Sequence, residues 1–250
     1  MMVIYGKLIV AFLGLSALLT VCLPPLTIHL IGDSTVSTYS ADYYPMMGWG
    51  QTLDAFFSEQ VTINNQAVSG QSTRSFISRG HWKTLVPQLK AKDYLLIQFG
   101  HNDQKRDNAE KYAAAYGEFQ DNLREFIRVA RDRGCYPVLV TPVARRRFRG
   151  SIPYNSHEDY PTAVRQVAHE LAVPLIDLHA RSLDELARRS PEGSKELFLW
   201  LDSAQYPNYP SGLSDDSHFS EYGAQQVSGW VARAIAELRL PLADYLQPAE

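Results

Sequence analysis

Residues 26–36, LTIHLIGDSTV, join an apolar run of strand length to an abrupt polar turn, Gly32-Asp33-Ser34. The same join recurs along the chain. Residues 61–63 begin a second run that ends near Asn65 and leads to Ser69-Gly70. Residues 94–99 (YLLIQF) end in Gly100-His101-Asn102-Asp103, residues 136–141 (YPVLVT) end in Pro142, and residues 173–178 (VPLIDL) form a fifth run. Runs this short, apolar almost throughout, suit parallel strands covered on both faces.

Helical patterns separate them. From Ala109 onward, Tyr112, Tyr116, Phe119, Leu123, Phe126, Ile127 and Ala130 recur at three- and four-residue steps, which predicts one amphipathic helix from near Ala109. Gly134 stops it after Arg131 and Arg133. Ser220 is a good N-cap for a last helix with Val227, Val231, Ala234 and Leu238 on one face. Shorter helices are expected over residues 49–58, 82–90, 162–171 and 183–189. This alternation predicts an α/β fold: a single doubly wound, flavodoxin-like, mainly parallel five-stranded sheet with helices on both faces. Ligands of such sheets bind beyond the carboxyl ends of the strands. Asp33-Ser34, Ser69-Gly70 and His101-Asn102-Asp103 all fall there, and Asp215 and His218 precede the last helix.

Composition excludes other classes. The 250 residues are 45% hydrophobic and 20% charged, with net charge −3, which is ordinary for a globular chain and rules out disorder. A sequence pI near 6.2 argues against a polybasic nucleic-acid binder. Residues 8–23 carry no charge, follow Lys7 and end at Pro24-Pro25. That is short for a membrane span and reads as a secretory signal peptide over residues 1–22, with residues 23–250 as the exported domain. An uncleaved anchor is the rival reading, with a lipoprotein signal ranked below it. Cys135 is then expected to be a buried free thiol.

The candidate chemistry lies at the strand ends. Ser34 follows a strand and a permissive glycine, so it can be exposed beside outward-pointing amides. Taken alone, the same residues also read as a helix cap or a turn. Asp215 and His218, spaced i and i+3 as on a helical turn, suit the orienter and base of a serine triad. Asn102 and the Gly70 amide suit an oxyanion hole. His101 and His179 pair with no obvious nucleophile and read as structural. No H-E-x-x-H, P-loop or G-x-S-x-G occurs, so the motif-based zinc, nucleotide and ordinary α/β-hydrolase readings find no support. The segment Gly48-Trp49-Gly50-Gln51 reads as a turn into a helix.

In order along the chain, GDS, SG, GHND and D-x-x-H resemble the four blocks of the SGNH, or GDSL-type, hydrolase superfamily. Gly32-Asp33-Ser34-Thr35-Val36, Gly48-Trp49-Gly50-Gln51, residues 69–76 (SGQSTRSF), residues 98–103 (QFGHND), residues 141–146 (TPVARR) and residues 215–219 (DDSHF) are similar to the rhamnogalacturonan acetylesterase branch. The resemblance implies Ser34 as nucleophile, His218 as base, Asp215 as its orienter, and Ser34, Gly70 and Asn102 as oxyanion donors. Asp216 is a second acid beside the pair; the spacing favours Asp215. The implied activity is deacetylation of an acetylated polysaccharide without cofactor or metal, by an exported protein expected to be monomeric. An SGNH esterase or acyltransferase acting on xylan, another glycan or a lipid is the alternative, and a non-catalytic carbohydrate-binding protein is the alternative of another class. Arg145 and Arg146, in a run after the fourth strand, read either as a groove for an acidic polymer or as a solvated loop. Tyr39, Tyr43, Tyr44, Tyr154, Tyr206 and Tyr209 fall in loops where they can contact sugar rings or pack locally.

Overall fold

The computed structural model describes residues 23–248; the expected signal peptide, Cys22 included, lies outside them. Five strands, β1 (Leu26–Gly32), β2 (Val61–Asn65), β3 (Tyr94–Gln98), β4 (Tyr136–Val140) and β7 (Leu175–Ile176), form one sheet. The order is β2-β1-β3-β4-β7, and every pairing is parallel. Two hairpins lie outside this sheet: β5 (Phe148–Arg149) with β6 (Ile152–Pro153), and β8 (Phe198–Leu201) with β9 (Leu213–Phe219). The helices are α1 (Thr73–Ser78), α2 (His81–Leu85), α3 (Glu118–Asp132), α4 (Tyr160–Glu170), α5 (Leu178–Gly193) and α6 (Glu221–Glu237). None of the described helices is long and apolar enough to cross a membrane.

The sheet is buried on both faces, as its unbroken apolar runs require. Successive residues of a strand point to opposite sides, so neighbours enter different cores. Leu30, Leu96 and Val140 pack with Val227, Val231 and Leu186 of α6 and α5. Ile31, Leu95, Ile97 and Leu139 pack with Phe76, Phe126 and Val164 of α1, α3 and α4. Cys135 is buried and unpaired among the described residues, and burial pushes its thiol up to about 12.

Several expected boundaries move, each for a local reason. The helix foreseen from Ala109 begins at Glu118, after Gly117; residues 111–117 run as turns and irregular chain, and Tyr116 is exposed. The fifth strand is only Leu175–Ile176, because Asp177 turns to cap α5 by accepting from the Ala180 N–H at 3.2 Å. Leu238 lies just beyond α6 and is exposed. Residues 49–58 form two 3₁₀ turns rather than an α-helix, and the β8–β9 hairpin was not foreseen.

The sheet order runs outward in both directions from between β1 and β3, the topological switch point where ligands bind in such sheets. Ser34 follows β1 and Asn102 follows β3.

Candidate active site

The chain leaves β1 into a turn built around Asp33. Its carbonyl accepts from the N–H groups of Val36 and Ser37, both at 3.1 Å. Its carboxylate accepts from Thr35 N at 3.0 Å, Thr35 Oγ1 at 2.8 Å and His101 Nδ1 at 3.2 Å. A carboxylate only accepts, so His101 carries its hydrogen on Nδ1. Burial pushes the Asp33 carboxyl up, but His101 and the Thr35 donors outweigh it and hold it below the ordinary range. Burial lowers His101, which is therefore neutral at pH 7. Asp33 and His101 thus shape the turn. Ser34, between them and solvent, is 9% exposed.

The Gly48-Trp49-Gly50-Gln51 segment buttresses this turn. Trp49 N donates to Thr35 O at 2.9 Å, and Trp49 Nε1 donates to Gln98 Oε1 at 3.0 Å. Gln98 Nε2 in turn donates to Thr35 Oγ1 at 2.6 Å. A Cβ on Gly48 would meet Ser37 O at 2.3 Å, and one on Gly50 would meet Val36 O at 2.6 Å. Only glycine lets the two backbones pass this closely.

Three N–H donors in the turns that follow β1, β2 and β3 lack full partners. Among the described residues, the N–H groups of Ser34 and Gly70 have no intramolecular acceptor. Gly70 holds φ +77°, a left-handed conformation that suits glycine. Asn102 Nδ2 donates to Gln71 O at 2.9 Å, and Oδ1 accepts from Lys105 Nζ at 2.8 Å. Lys105 fixes which end of the amide faces the site, and Nδ2 retains a second hydrogen. Unpaired donors near a serine are what an oxyanion hole needs. Next to Asn102, Asp103 accepts from Thr73 N at 2.8 Å and Thr73 Oγ1 at 2.6 Å at the start of α1. Burial outweighs those donors and raises its carboxyl to about 7.

The Asp215–His218 pair forms, though not on a helical turn. It lies in β9, where the register jumps: Leu199 pairs with Asp215 and Phe198 with Phe219. Residues 216–218 therefore bulge from the hairpin. Asp215 Oδ1 accepts from the N–H groups of Ser217 at 2.7 Å and His218 at 3.0 Å, which closes the bulge locally. Its Oδ2 accepts from His218 Nδ1 at 2.7 Å. Burial pushes the Asp215 carboxyl up, but His218 and the two backbone donors bring it down to about 2. Asp215 is thus ionised and fixes the hydrogen on Nδ1, which leaves His218 Nε2 as an acceptor. Ser34 Oγ and His218 Nε2 are not hydrogen-bonded to each other in this structure. Such bonds are often long before substrate binds. Tyr39 lies against the turn: its hydroxyl donates to Ser34 O at 2.9 Å, and burial, with the nearby Asp33 and Asp215 carboxylates adding to it, raises it to about 12.

Asp216 has other partners. Its Oδ1 accepts from Arg146 Nη1 at 2.9 Å and Trp200 Nε1 at 3.0 Å, and its backbone carbonyl accepts from Arg146 N at 2.8 Å. Arg147 Nη1 lies 3.3 Å from Oδ2. The Arg146 guanidinium also sits 4.7 Å from the Trp200 ring centroid and donates to Pro191 O. The two candidate acids thus have separate roles, with Asp215 on the imidazole and Asp216 on the arginines.

Arg145 and Arg146 are therefore not placed as walls of an acidic groove. Arg146 is only 9% exposed. Arg145 donates to His101 O at 3.1 Å and contacts His157 Nδ1 at 3.3 Å. The inward carbonyls and the Asp216 carboxylate need donors, and these two arginines supply them. Only Arg147 and Arg149 of the run are exposed. His179 is structural, with Nε2 on Asn155 Oδ1 at 3.1 Å. Lys105 and Trp200 were not foreseen: each lies outside the quoted motifs and acts on a motif residue, Lys105 on Asn102 and Trp200 on Asp216.

A family model described as GDSL-like Lipase/Acylhydrolase matches residues 30–226. Over 228 residues, the chain is 45% identical to the rhamnogalacturonan acetylesterase RhgT of Bacillus subtilis (strain 168), covering 90% of this chain and 96% of that protein. The crystal structure of the B. subtilis protein YxiM superposes with a TM-score of 0.75 at 25% identity, over 87% of this chain and 58% of that one. Axe2, an acetylxylan esterase from Geobacillus stearothermophilus, has the same fold at a TM-score of 0.61 and 20% identity, covering 88% of this chain and 96% of that one.

Proposed function

The chain belongs to the GDSL-like lipase/acylhydrolase family and is an ester hydrolase, and from that premise we propose that it removes acetyl groups from an acetylated plant-type polysaccharide, rhamnogalacturonan before xylan, through Ser34, His218 and Asp215. The observation that carries this is the His218 imidazole. Its Nδ1 is fixed on Asp215 at 2.7 Å, and Nε2 is left to accept a proton at the edge that also presents Ser34. The high identity to an acetylesterase over nearly the whole chain supports the substrate class.

The reaction follows from these groups. Ser34 Oγ attacks the acetyl carbonyl carbon while His218 Nε2 takes the hydroxyl proton. The carbonyl π pair moves to oxygen, and the resulting oxyanion is held by the N–H groups of Ser34 and Gly70 and by Asn102 Nδ2. As the tetrahedral intermediate collapses, the bond to the sugar oxygen breaks and His218 returns the proton to it, leaving an acetyl ester on Ser34. Water then attacks that ester with His218 as base, and acetate leaves with Ser34 restored. Asp215 remains ionised throughout and stabilises the imidazolium that forms twice per cycle.

The test is an acetate-release panel on acetylated rhamnogalacturonan and acetylated xylan, run with Ser34→Ala alongside. Release fastest from the pectic polymer, reduced about 10⁴–10⁶-fold in Ser34→Ala, is expected. Near-normal turnover by the mutant would eliminate the mechanism, and preference for xylan would redirect the substrate reading. Residues 1–22 are proposed to be a signal peptide removed on export; N-terminal sequencing of the exported protein checks this.

A further inference from the structure

Beside Ser34, two loops far apart in sequence are stitched together around an uncovered aromatic ring. Tyr39 begins the wall: its hydroxyl bonds Ser34 O at 2.9 Å and reaches Ser69 Oγ at 3.5 Å, and its N–H donates to Gln51 Oε1 at 2.9 Å. The Tyr43 ring lies next, with centroids 5.7 Å apart and planes tilted by 55°. The backbone that carries Tyr43 is clamped from the second loop. Asn208 Nδ2 donates to Ala41 O at 2.9 Å and Tyr44 O at 3.0 Å, and Tyr209 Oη donates to Tyr43 O at 2.9 Å. Tyr44 is fixed in turn, by its hydroxyl on Glu221 at 2.7 Å and by the Tyr206 ring at 5.8 Å.

All this fixing leaves Tyr43 uncovered: it is 52% exposed. A ring with only two side-chain torsions, on a backbone pinned at both flanks, loses little freedom on contact with a ligand. Rigid exposed aromatic surface beside a reacting centre marks recognition rather than packing. Its geometry also limits the ligand. Tyr43 is one ring beyond Tyr39, and Tyr39 is one hydrogen bond from the nucleophile's own backbone. An acetyl group small enough to enter at Ser34 cannot reach Tyr43, but the sugar that carries it, or that sugar's neighbour, can. A pyranose presents an apolar C–H face and polar edges, which match a tyrosine face and its hydroxyl.

We propose that Tyr43 is the stacking platform for a pyranose ring of the substrate chain, held in place by Asn208 and Tyr209, and that it sets the preference for polymer over small esters. This rests on the polysaccharide reading above. The test compares the parent with Tyr43→Ala and Tyr43→Trp on acetylated rhamnogalacturonan and on 4-nitrophenyl acetate, which has no ring chain to stack. In Tyr43→Ala the ratio of polymer to small-ester kcat/KM is expected to fall about three- to tenfold, through KM on the polymer with kcat nearly kept. Tyr43→Trp, with a larger face, is expected to hold the parent ratio or exceed it. An unchanged ratio in Tyr43→Ala, or an equal loss on both substrates, overturns the platform and leaves the esterase reading standing. If the parent releases no acetate from the acetylated polymer, the polysaccharide reading fails and the platform with it.

Discussion

The two halves of the candidate site are held by different kinds of structure. On the side of Ser34, the proposed nucleophile, the turn is fused to the central sheet, and Asp33, Thr35, Gln98, Trp49 and His101 form a continuous set of buried hydrogen bonds beneath it. On the base side, His218 projects from a bulge in a two-stranded hairpin outside that sheet. Asp215 supports the bulge from within, and the Arg146–Asp216–Trp200 contacts support it from outside. Damage beneath Ser34 is therefore expected to appear as lost stability. Phe198 and Phe219 root the hairpin in the core, whereas Asp215 and Asp216 support the bulge from partly exposed positions, so damage beneath His218 is expected to appear first as lost turnover in a protein that still folds.

The largest effect tests whether the halves act as one device. Ser34→Ala and His218→Ala are each expected to lower kcat about 10⁴–10⁶-fold, and the double mutant no further. Losses that multiply, read by acetate release, would show two independent contributions and dissolve the pair. Asp215→Asn comes next, at about 10³–10⁴-fold, because an amide no longer fixes the hydrogen on Nδ1.

A sharper contrast comes from one substitution on each side. Arg146→Gln leaves Asp216 short of its main partner and is expected to lower the kcat of the folded enzyme about 10–100-fold while KM changes little, with Asp216→Asn in the same chain restoring most of the loss. A change of one Å in placement is enough for an effect of that size. Asp33→Asn is expected to do the reverse, costing about 1–3 kcal/mol of stability through its unmatched buried partners. Thermal unfolding beside kinetics of the folded enzyme decides this; the same signature from both mutants would erase the distinction.

The smallest effects are in pH dependence, and the two sides differ in sign. Asp215 is held at about 2, below its unfolded value of about 4. Its contribution is present above about pH 4 and lost as pH falls toward 2. Asp103, at about 7, is raised. Its contribution is present below about pH 4 and lost as pH rises toward 7. Urea midpoints between pH 3 and pH 8 are expected to show the parent losing ground to Asp103→Asn as pH rises, and to Asp215→Asn as pH falls.

Legibility in the sequence divides along similar lines. The strand-end turns were readable because β1 and β3 run without interruption into Gly32-Asp33-Ser34 and Gly100-His101-Asn102-Asp103. The base-side support was not. Residues 215–218 look like a helical turn, since i and i+3 spacing fits a bulge closed by its own aspartate as well as it fits a helix. Arg146 and Asp216 are far apart in the chain, and no periodicity links them, so a run of arginines after β4 suggested a surface when two of its members point inward. Tyr112 and Tyr116 kept helical spacing while Gly117 delayed the helix.

By itself, the sequence determined the alternation of strands and helices, the sheet edge where polar residues collect, and the identity of the groups able to do chemistry there. These are local properties: a run of apolar side chains, a glycine that permits a turn, an aspartate three residues before a histidine. Tertiary structure alone decided what holds the second acid, where the arginine charges are spent, and which of many tyrosines stands uncovered beside Ser34. Those outcomes depend on which distant segments compete for the same donor or the same space, and that competition exists only once the chain has folded.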